Sequence, residues 1–308
     1  MLKLAAKKAI LRSRIVRFGQ SVPPRRAVIL RYHSVRKQIS ALHPYISDGI
    51  THTAAAFREQ MKYLASECNV ISLEEVSSFL SARRKMPERA VAVTFDDGFR
   101  DNYEVAAPIL EDCGLHATFY VSTSSLEGRP LWIVRLRYWS VSGQKPREEF
   151  LQASQLCASS SECRREAFLA TLDSANTVQD NFTMTWEQAK ELVDRGHIIG
   201  SHTVNHPNLT RISDKELACE TENSKSILEL RLGAAIHHFS HPNPILEPHW
   251  NNNTALACKK AGYLTAVTSS AGFVTKRSDP FALPRQYAVQ SFDEFVWNLE
   301  LGLAGFIR

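Results

Sequence analysis

Apolar and polar residues along the chain follow two different periods, and the points where one gives way to the other mark the elements. Residues 27–32 (Ala-Val-Ile-Leu-Arg-Tyr) and 90–95 (Ala-Val-Ala-Val-Thr-Phe) are short, nearly unbroken apolar runs of β-branched and small residues. Such runs suit strands covered on both faces. Residues 117–121 and 264–268 read in the same way, and residues 70–72 as a shorter strand. Between the runs the spacing becomes helical. Phe57, Met61 and Leu64 share one face of a helix over residues 52–64. Ser72 with Glu75 three residues on is a capping box for a helix to about Arg83, and Gly114 closes another over residues 103–113. Thr185 and Ser213 are N-caps for two more, the second running to about Leu232 and stopping at Gly233. Residues 254–261 and an amphipathic terminal helix over residues 292–306 complete the series. Strand and helix in alternation predict an α/β fold with a barrel-like parallel sheet. Residues 131–181 break the alternation and read as an insertion over the carboxyl end of the sheet.

Candidate chemistry gathers where the strand patterns stop. The run over residues 90–95 ends in Asp96, Asp97 and Gly98, at the carboxyl end where parallel α/β sheets place their ligands. Two adjacent carboxylates repel unless a cation or a shared proton relieves them, although an acidic surface turn has the same composition. A second cluster, Gly200 to Pro207, follows the apolar stretch His197-Ile198-Ile199 and holds His202 and His206 four residues apart. On one helical turn both imidazoles would share a face and converge on one ion. Two imidazoles and one carboxylate form the donor set of a catalytic metal with open positions. Alone, the spacing fits two unrelated polar histidines on a loop better than a shared ion, and only the pairing with the Asp96-Asp97 strand end reverses that order.

Together the two clusters resemble the polysaccharide deacetylases with a NodB-homology domain, carbohydrate esterase family 4. Its first motif matches Thr94-Phe95-Asp96-Asp97-Gly98, and its second matches Ser201-His202-Thr203-Val204-Asn205-His206. The similarity extends from about Ala27 to about Val289. The resemblance implies a deformed (β/α) barrel and metal-dependent hydrolysis of N- or O-acetyl groups on an amino-sugar glycan or glycan precursor. Carried over by position, Asp96 is the general base, and Asp97, His202 and His206 hold one divalent ion, Zn²⁺ with Co²⁺ or Ni²⁺ as substitutes. The third motif departs from the family, because Ser240-His241-Pro242-Asn243-Pro244 has His241 for a tyrosine and Pro244 for a glycine. A proline cannot donate a backbone amide to an oxyanion. The family's C-terminal Leu-x-x-His acid motif is absent. His33, ending the first strand, is therefore expected to be the general acid, kept as imidazolium by the carboxylates, with His241 as its competitor. Arg285, in a Leu-Pro-Arg segment, is expected to hold the base carboxylate, and Trp132, His241, Pro242 and Asn243 to touch substrate. Other readings are hydrolysis of a formamido-sugar or cyclic imide, or a sugar-binding relative without catalysis.

Charge changes the picture at one end only. Residues 1–47 hold eleven Lys or Arg and no acid, while the whole chain is +5, so the remaining residues sum to 5 − 11 = −6. The basic balance thus belongs to the N-terminus, and no nucleic-acid partner is expected. Residues 1–24 read as a basic helix or extension preceding a catalytic domain over residues 25–308. Residues 1–20 alternate cations with apolar residues, as a peripheral contact with an anionic membrane requires. No C-x-x-C pair occurs among the six cysteines, which points to reduced thiols and a cytoplasmic setting, at most peripheral at the inner membrane surface.

Overall fold

Among the described residues ten strands position the site: β1 (Ala27–Tyr32), β2 (Ser34–Arg36), β3 (Thr51–Thr53), β4 (Asn69–Val70), β5 (Ala90–Phe95), β6 (Thr118–Val121), β7 (Ile198–Ser201), β8 (His238–Ser240), β9 (Thr265–Val267) and β10 (Gln286–Tyr287). The computed structural model of the chain describes residues 25–38, 46–173, 182–243 and 247–306. The basic segment over residues 1–24 lies outside them. The main sheet runs β10-β1-β5-β6-β7-β8-β9, every pair parallel. β4 and β6 share one edge of β5, the first beside Ala90 and Val91 and the second beside Thr94 and Phe95. β2 and β3 form a separate parallel pair.

The sheet curls until its ends meet through residues 283–287. Leu283 bridges Val267 of β9, and Gln286 and Tyr287 pair with Leu30 and Arg31 of β1. The result is a deformed (β/α) barrel, as the resemblance implies and the strand–helix alternation supports.

Period-2 alternation sorts the strand side chains into two layers. Val28, Leu30 and Tyr32 of β1 and Val91, Val93 and Phe95 of β5 pack outward with Phe57, Met61 and Leu64 of the helix Ala54–Glu67. Ala27, Ile29, Ala90 and Ala92 pack inward with Tyr120, Val267 and Leu283. Small inward residues let so narrow a barrel fill with side chains. The same alternation turns Arg31, His33, Thr94 and Asp96 inward at the carboxyl end.

The predicted caps form: Ser72 with Glu75, Thr185 with Gln188 and Ser213 with Glu216 are reciprocal capping boxes. The helix expected over residues 103–113 instead opens with a π turn, Asn102–Ala106, and continues as Ala107–Asp112. The described part of the insertion is helical, with Trp132–Ser142, Arg147–Ala158 and Glu162–Asp173 enclosing their own small core of Trp132, Leu136, Ala153, Cys157, Ala158 and Leu169. All six cysteines are free. Among the described residues no helix is long and apolar enough to cross a membrane.

Candidate active site and metal centre

The register of β1 on β5 places Tyr32 opposite Phe95, so His33 and Asp96 leave the two strands side by side. The backbone N–H of Asp96 donates to the Tyr32 carbonyl at 3.1 Å. Asp96 points into the barrel and is clamped by Arg285, whose Nη1 and Nη2 donate to Oδ1 at 2.8 Å and Oδ2 at 2.6 Å. Ser240 Oγ adds a bond to Oδ1 at 3.1 Å. Arg285 is itself held by the Thr268 carbonyl, 2.8 Å from Nε, and by Thr94 Oγ1, 3.2 Å from Nη1. Burial pushes the Asp96 pKa up, but the guanidinium and nearby imidazoles outweigh it and hold the carboxyl below the ordinary carboxylate range.

Asp97 departs from its neighbour because its backbone turns left-handed, with φ 72°, and Gly98 follows at φ 63°. A Cβ on Gly98 would stand 2.9 Å from Val121 Cγ1, so the turn has room for glycine alone. Asp97 Oδ1 lies 3.5 Å from His202 Nε2 and 3.3 Å from His206 Nε2. One ligand atom from each of the three buried residues lies within 4.8 Å of the others.

The histidines do not share a helical turn, as their spacing suggests. Residues 202–208 form a loop in which Thr203 and His206 have φ 71° and 55°. A left-handed conformation costs a side-chain-bearing residue about 1–2 kcal/mol. Asp97, Thr203 and His206 adopt it in one place, the kind of concentrated strain found at functional sites.

Several contacts hold this loop. His202 Nδ1 bonds the Ser240 carbonyl at 2.8 Å, which leaves Nε2 facing Asp97. The buried Glu220 carboxylate accepts the backbone N–H groups of Val204 at 2.7 Å and Asn205 at 2.9 Å. Thr203 Oγ1 accepts the His206 N–H at 2.9 Å. Burial lowers the His206 pKa further than Asp97 raises it, which keeps the imidazole neutral. Burial likewise works to raise the Asp97 pKa, and there the imidazoles win and hold it well down.

The donor set suits a divalent ion. Donor atoms about 2.0–2.2 Å from a tetrahedral ion stand roughly 3.3–3.6 Å apart, a range that includes the two Asp97–histidine distances. Those distances are long for hydrogen bonds.

His33 stands with its Nε2 3.9 Å from Asp96 Oδ2. The expectation of a resting imidazolium is corrected here. Burial pulls its pKa down to about 4, and the pull of Asp97 and Asp96 does not restore it. The segment after His33 is fastened by Asp101, which accepts from Ser34 Oγ at 2.5 Å and the Val35 N–H at 3.2 Å, while Asn102 Nδ2 donates to the His33 carbonyl at 2.5 Å.

Burial raises Asp101 from 3.8 to about 6, outweighing the bonds from Ser34 and Val35. A pKa raised by folding means that its contribution to stability is complete below about pH 4 and is lost as pH climbs through 6. The wild type should therefore lose stability relative to Asp101→Asn, which does not titrate, from pH 4 to pH 7, read from denaturant midpoints. A difference independent of pH over that range would contradict the assignment.

The residues expected to touch substrate separate into two groups. A cleft of about 510 Å³ opens over the cluster, lined on one side by Arg31, His33, Asp96, Asp97, His202 and His206. Phe99, Ile133, Val134 and Phe150 add an apolar wall, and Asn243 also lines it. Trp132 does not. Its indole is buried in the insertion's core and donates from Nε1 to the His206 carbonyl at 2.8 Å, so it braces the histidine loop from behind. His241 is buried as well, its Nε2 on the Phe281 carbonyl at 3.2 Å and its ring against Phe239. Burial holds its pKa near 3. Neither it nor the buried Pro242 lines the cleft, so His241 does not compete for the acid role.

Ser240 and Glu220 were not singled out from the sequence. Ser240 is one serine at the end of a three-residue strand, and Glu220 lies in a helix rich in acids, so neither carries a local signal. Arg31 is different. It is two residues before His33 on a strand, and period 2 alone puts both on one face.

An acidic strand end and a two-histidine loop thus gather at the carboxyl ends of a curled parallel sheet, where α/β barrels carry their sites. A family model described as Polysaccharide deacetylase matches residues 83–266, and the chain belongs to that family. It is 24% identical over 263 residues to YxkH of Bacillus subtilis (strain 168), a protein whose name assigns it provisionally to the polysaccharide deacetylases. That match covers 85% of this chain and 71% of YxkH. Among solved structures, the Streptococcus pyogenes deacetylase PplD in complex with acetate superposes with a TM-score of 0.66 at 21% identity, covering 90% of this chain and 99% of PplD. A de-N-acetylase from Aggregatibacter actinomycetemcomitans gives 0.64 at 17% identity, covering 89% and 99%. At these identities the likeness establishes the fold.

Proposed function

We propose that the chain is a metal-dependent deacetylase that removes N-acetyl or O-acetyl groups from an amino-sugar-containing glycan. The observation that carries this reading is the coexistence, within one buried cluster, of a two-histidine, one-carboxylate donor set and a second carboxylate bonded to a cation of its own. Asp97, His202 and His206 would hold the ion, Zn²⁺ by donor type with Co²⁺ or Ni²⁺ as substitutes. When bound, such an ion supplies a Lewis acid for the acyl carbonyl and lowers the pKa of water.

The rest is done by the chain. Asp96 stays ionised at neutral pH and is fixed in orientation by Arg285 and Ser240, as a group that takes the proton of an attacking water must be. His33 is neutral at rest, so it can receive a proton and pass it to the leaving amine. Phe99, Ile133 and Val134 exclude bulk water from one side of the cleft.

Acetate release from defined acetylated amino-sugar oligosaccharides, with the purified protein metal-loaded or treated with chelator, tests the reading. Release that stops on chelation and returns with a divalent ion is expected. Release unaffected by chelation would overturn the metal dependence. Turnover confined to a formamido-sugar or a cyclic imide would overturn the acetyl specificity.

A further inference from the structure

Two arginines other than Arg285, which clamps Asp96, line the cleft. Arg31 enters it from the inner face of β1, in register with Thr94 and two residues from His33. Arg137 enters from the helix Trp132–Ser142, one turn beyond Ile133 and Val134, which line the same wall. Three carboxylates lie there too, and each has a use. Asp96 is taken by Arg285, Asp97 faces the two histidines, and Glu247 accepts from His249 Nδ1 at 3.0 Å and Asn243 Nδ2 at 3.2 Å.

Arg31 has no such partner. Its Nε is buried without a hydrogen bond, and no carboxylate stands within ion-pair distance of it among the described residues. Its guanidinium lies 5.7 Å from the centre of the Tyr287 ring. Burial, and then the nearby Arg285 charge, lower its pKa against the opposing pull of Asp96 and Asp97, neither of which pairs with it directly, so the cation is held at a cost that a bound anion would relieve. A planar guanidinium with free donors at the floor of a cleft suits the oxygens of a carboxylate or a phosphate.

Building on the deacetylase reading, we propose that Arg31, with Arg137 on the cleft wall, binds an anionic substituent of the glycan, so that the substrate is an acidic acetylated polysaccharide. The substituent is a uronate carboxylate or a phosphoryl group close to the acetylated residue. Arg31 is thus a specificity-determining residue rather than a group in the hydrolytic step.

The test uses the full-length, Zn²⁺-loaded protein and three oligosaccharide probes: a neutral N-acetylglucosamine oligomer, one alternating with glucuronate, and one bearing phosphate. Calorimetric titration gives affinity, and acetate release gives kcat and KM. A charge-assisted pair should make one acidic probe bind about 10- to 100-fold more tightly than the neutral probe at low salt. That ratio should collapse toward one in Arg31→Gln, recover in part in Arg31→Lys, and fall with added salt. The probe that keeps the advantage distinguishes uronate from phosphate.

Arg137→Gln, on the cleft wall, should lower the same ratio less and serves if Arg31→Gln fails to fold. Equal affinity for all three probes, no binding by any of them, or a loss in Arg31→Gln that leaves the ratio unchanged would overturn the proposal. If free acetate alone loses its inhibition in Arg31→Gln while the ratio stays at one, Arg31 serves the product and the proposal also fails. Absence of acetate release from every probe would count against the deacetylase reading, while the binding ratio would still judge this one.

Discussion

Asp96→Asn is expected to leave the divalent ion in place and to lower turnover by about 10²- to 10⁴-fold, the usual worth of a general base. The separation of the two effects follows from geometry, since Asp96 bonds Arg285 and Ser240 and the donor cluster comprises Asp97, His202 and His206. An amide at this position sets an N–H against one guanidinium N–H and leaves the cation of a buried pair uncompensated. Some loss of stability should accompany the kinetic defect, up to about 3–5 kcal/mol. Metal content by elemental analysis, kcat and the urea midpoint separate these effects. Loss of metal in step with activity would make Asp96 a ligand, and retained turnover would remove it from the chemistry.

The companion variant Arg285→Met carries a definite pH signature. Arg285 opposes the burial that raises the Asp96 pKa, so removing it leaves burial dominant and moves the pKa upward. The acidic limb of the kcat/KM profile should therefore shift to higher pH.

Replacing Asp97, His202 and His206 together by Ala should abolish stoichiometric metal binding. The single variants should differ in order. Removing a partner that merely orients a ligand costs about 10- to 100-fold in metal affinity, and removing a ligand costs more. His202 has such an orienting partner in the Ser240 carbonyl, whereas His206 Nδ1 is buried without one among the described residues. His202 is therefore the better organised donor, and His202→Ala should weaken binding more than His206→Ala. Competition titration against a chromogenic chelator reads both. Undiminished metal in the triple variant would exclude the site.

Much of this arrangement could be read from local patterns, and the remainder depended on contacts between distant segments. The runs over residues 27–32 and 90–95 became β1 and β5 because small and β-branched residues leave few alternatives to a strand buried on both sides. Ser72, Thr185 and Ser213 cap their helices because capping is settled within four residues. The geometry of the histidine loop could not be read this way, since spacing of four is equally compatible with a helical turn and with a loop bent by left-handed residues.

Trp132 misleads for a related reason. Its position in the sequence does not say which face of its helix lines the cleft, and the answer was Ile133, Val134 and Arg137. The protonation of His33 was misjudged because neighbouring carboxylates can be counted in a sequence and desolvation cannot. Ser240 reaches Asp96 across 144 positions, a pairing set only by the order of strands in the sheet.

The segment that closes the barrel also has a consequence for synthesis. His206, the last of the three candidate ligands, leaves the ribosome 285 − 206 = 79 residues before Arg285. At about 5–20 residues per second that is a delay of roughly 4 to 16 seconds. During that interval the nascent chain owns every donor for an ion but lacks the cation that compensates Asp96. In order of synthesis, then, the three candidate ion donors precede the residues that clamp Asp96, and that carboxylate gains its compensating cation only when residues 283–287 close the ring.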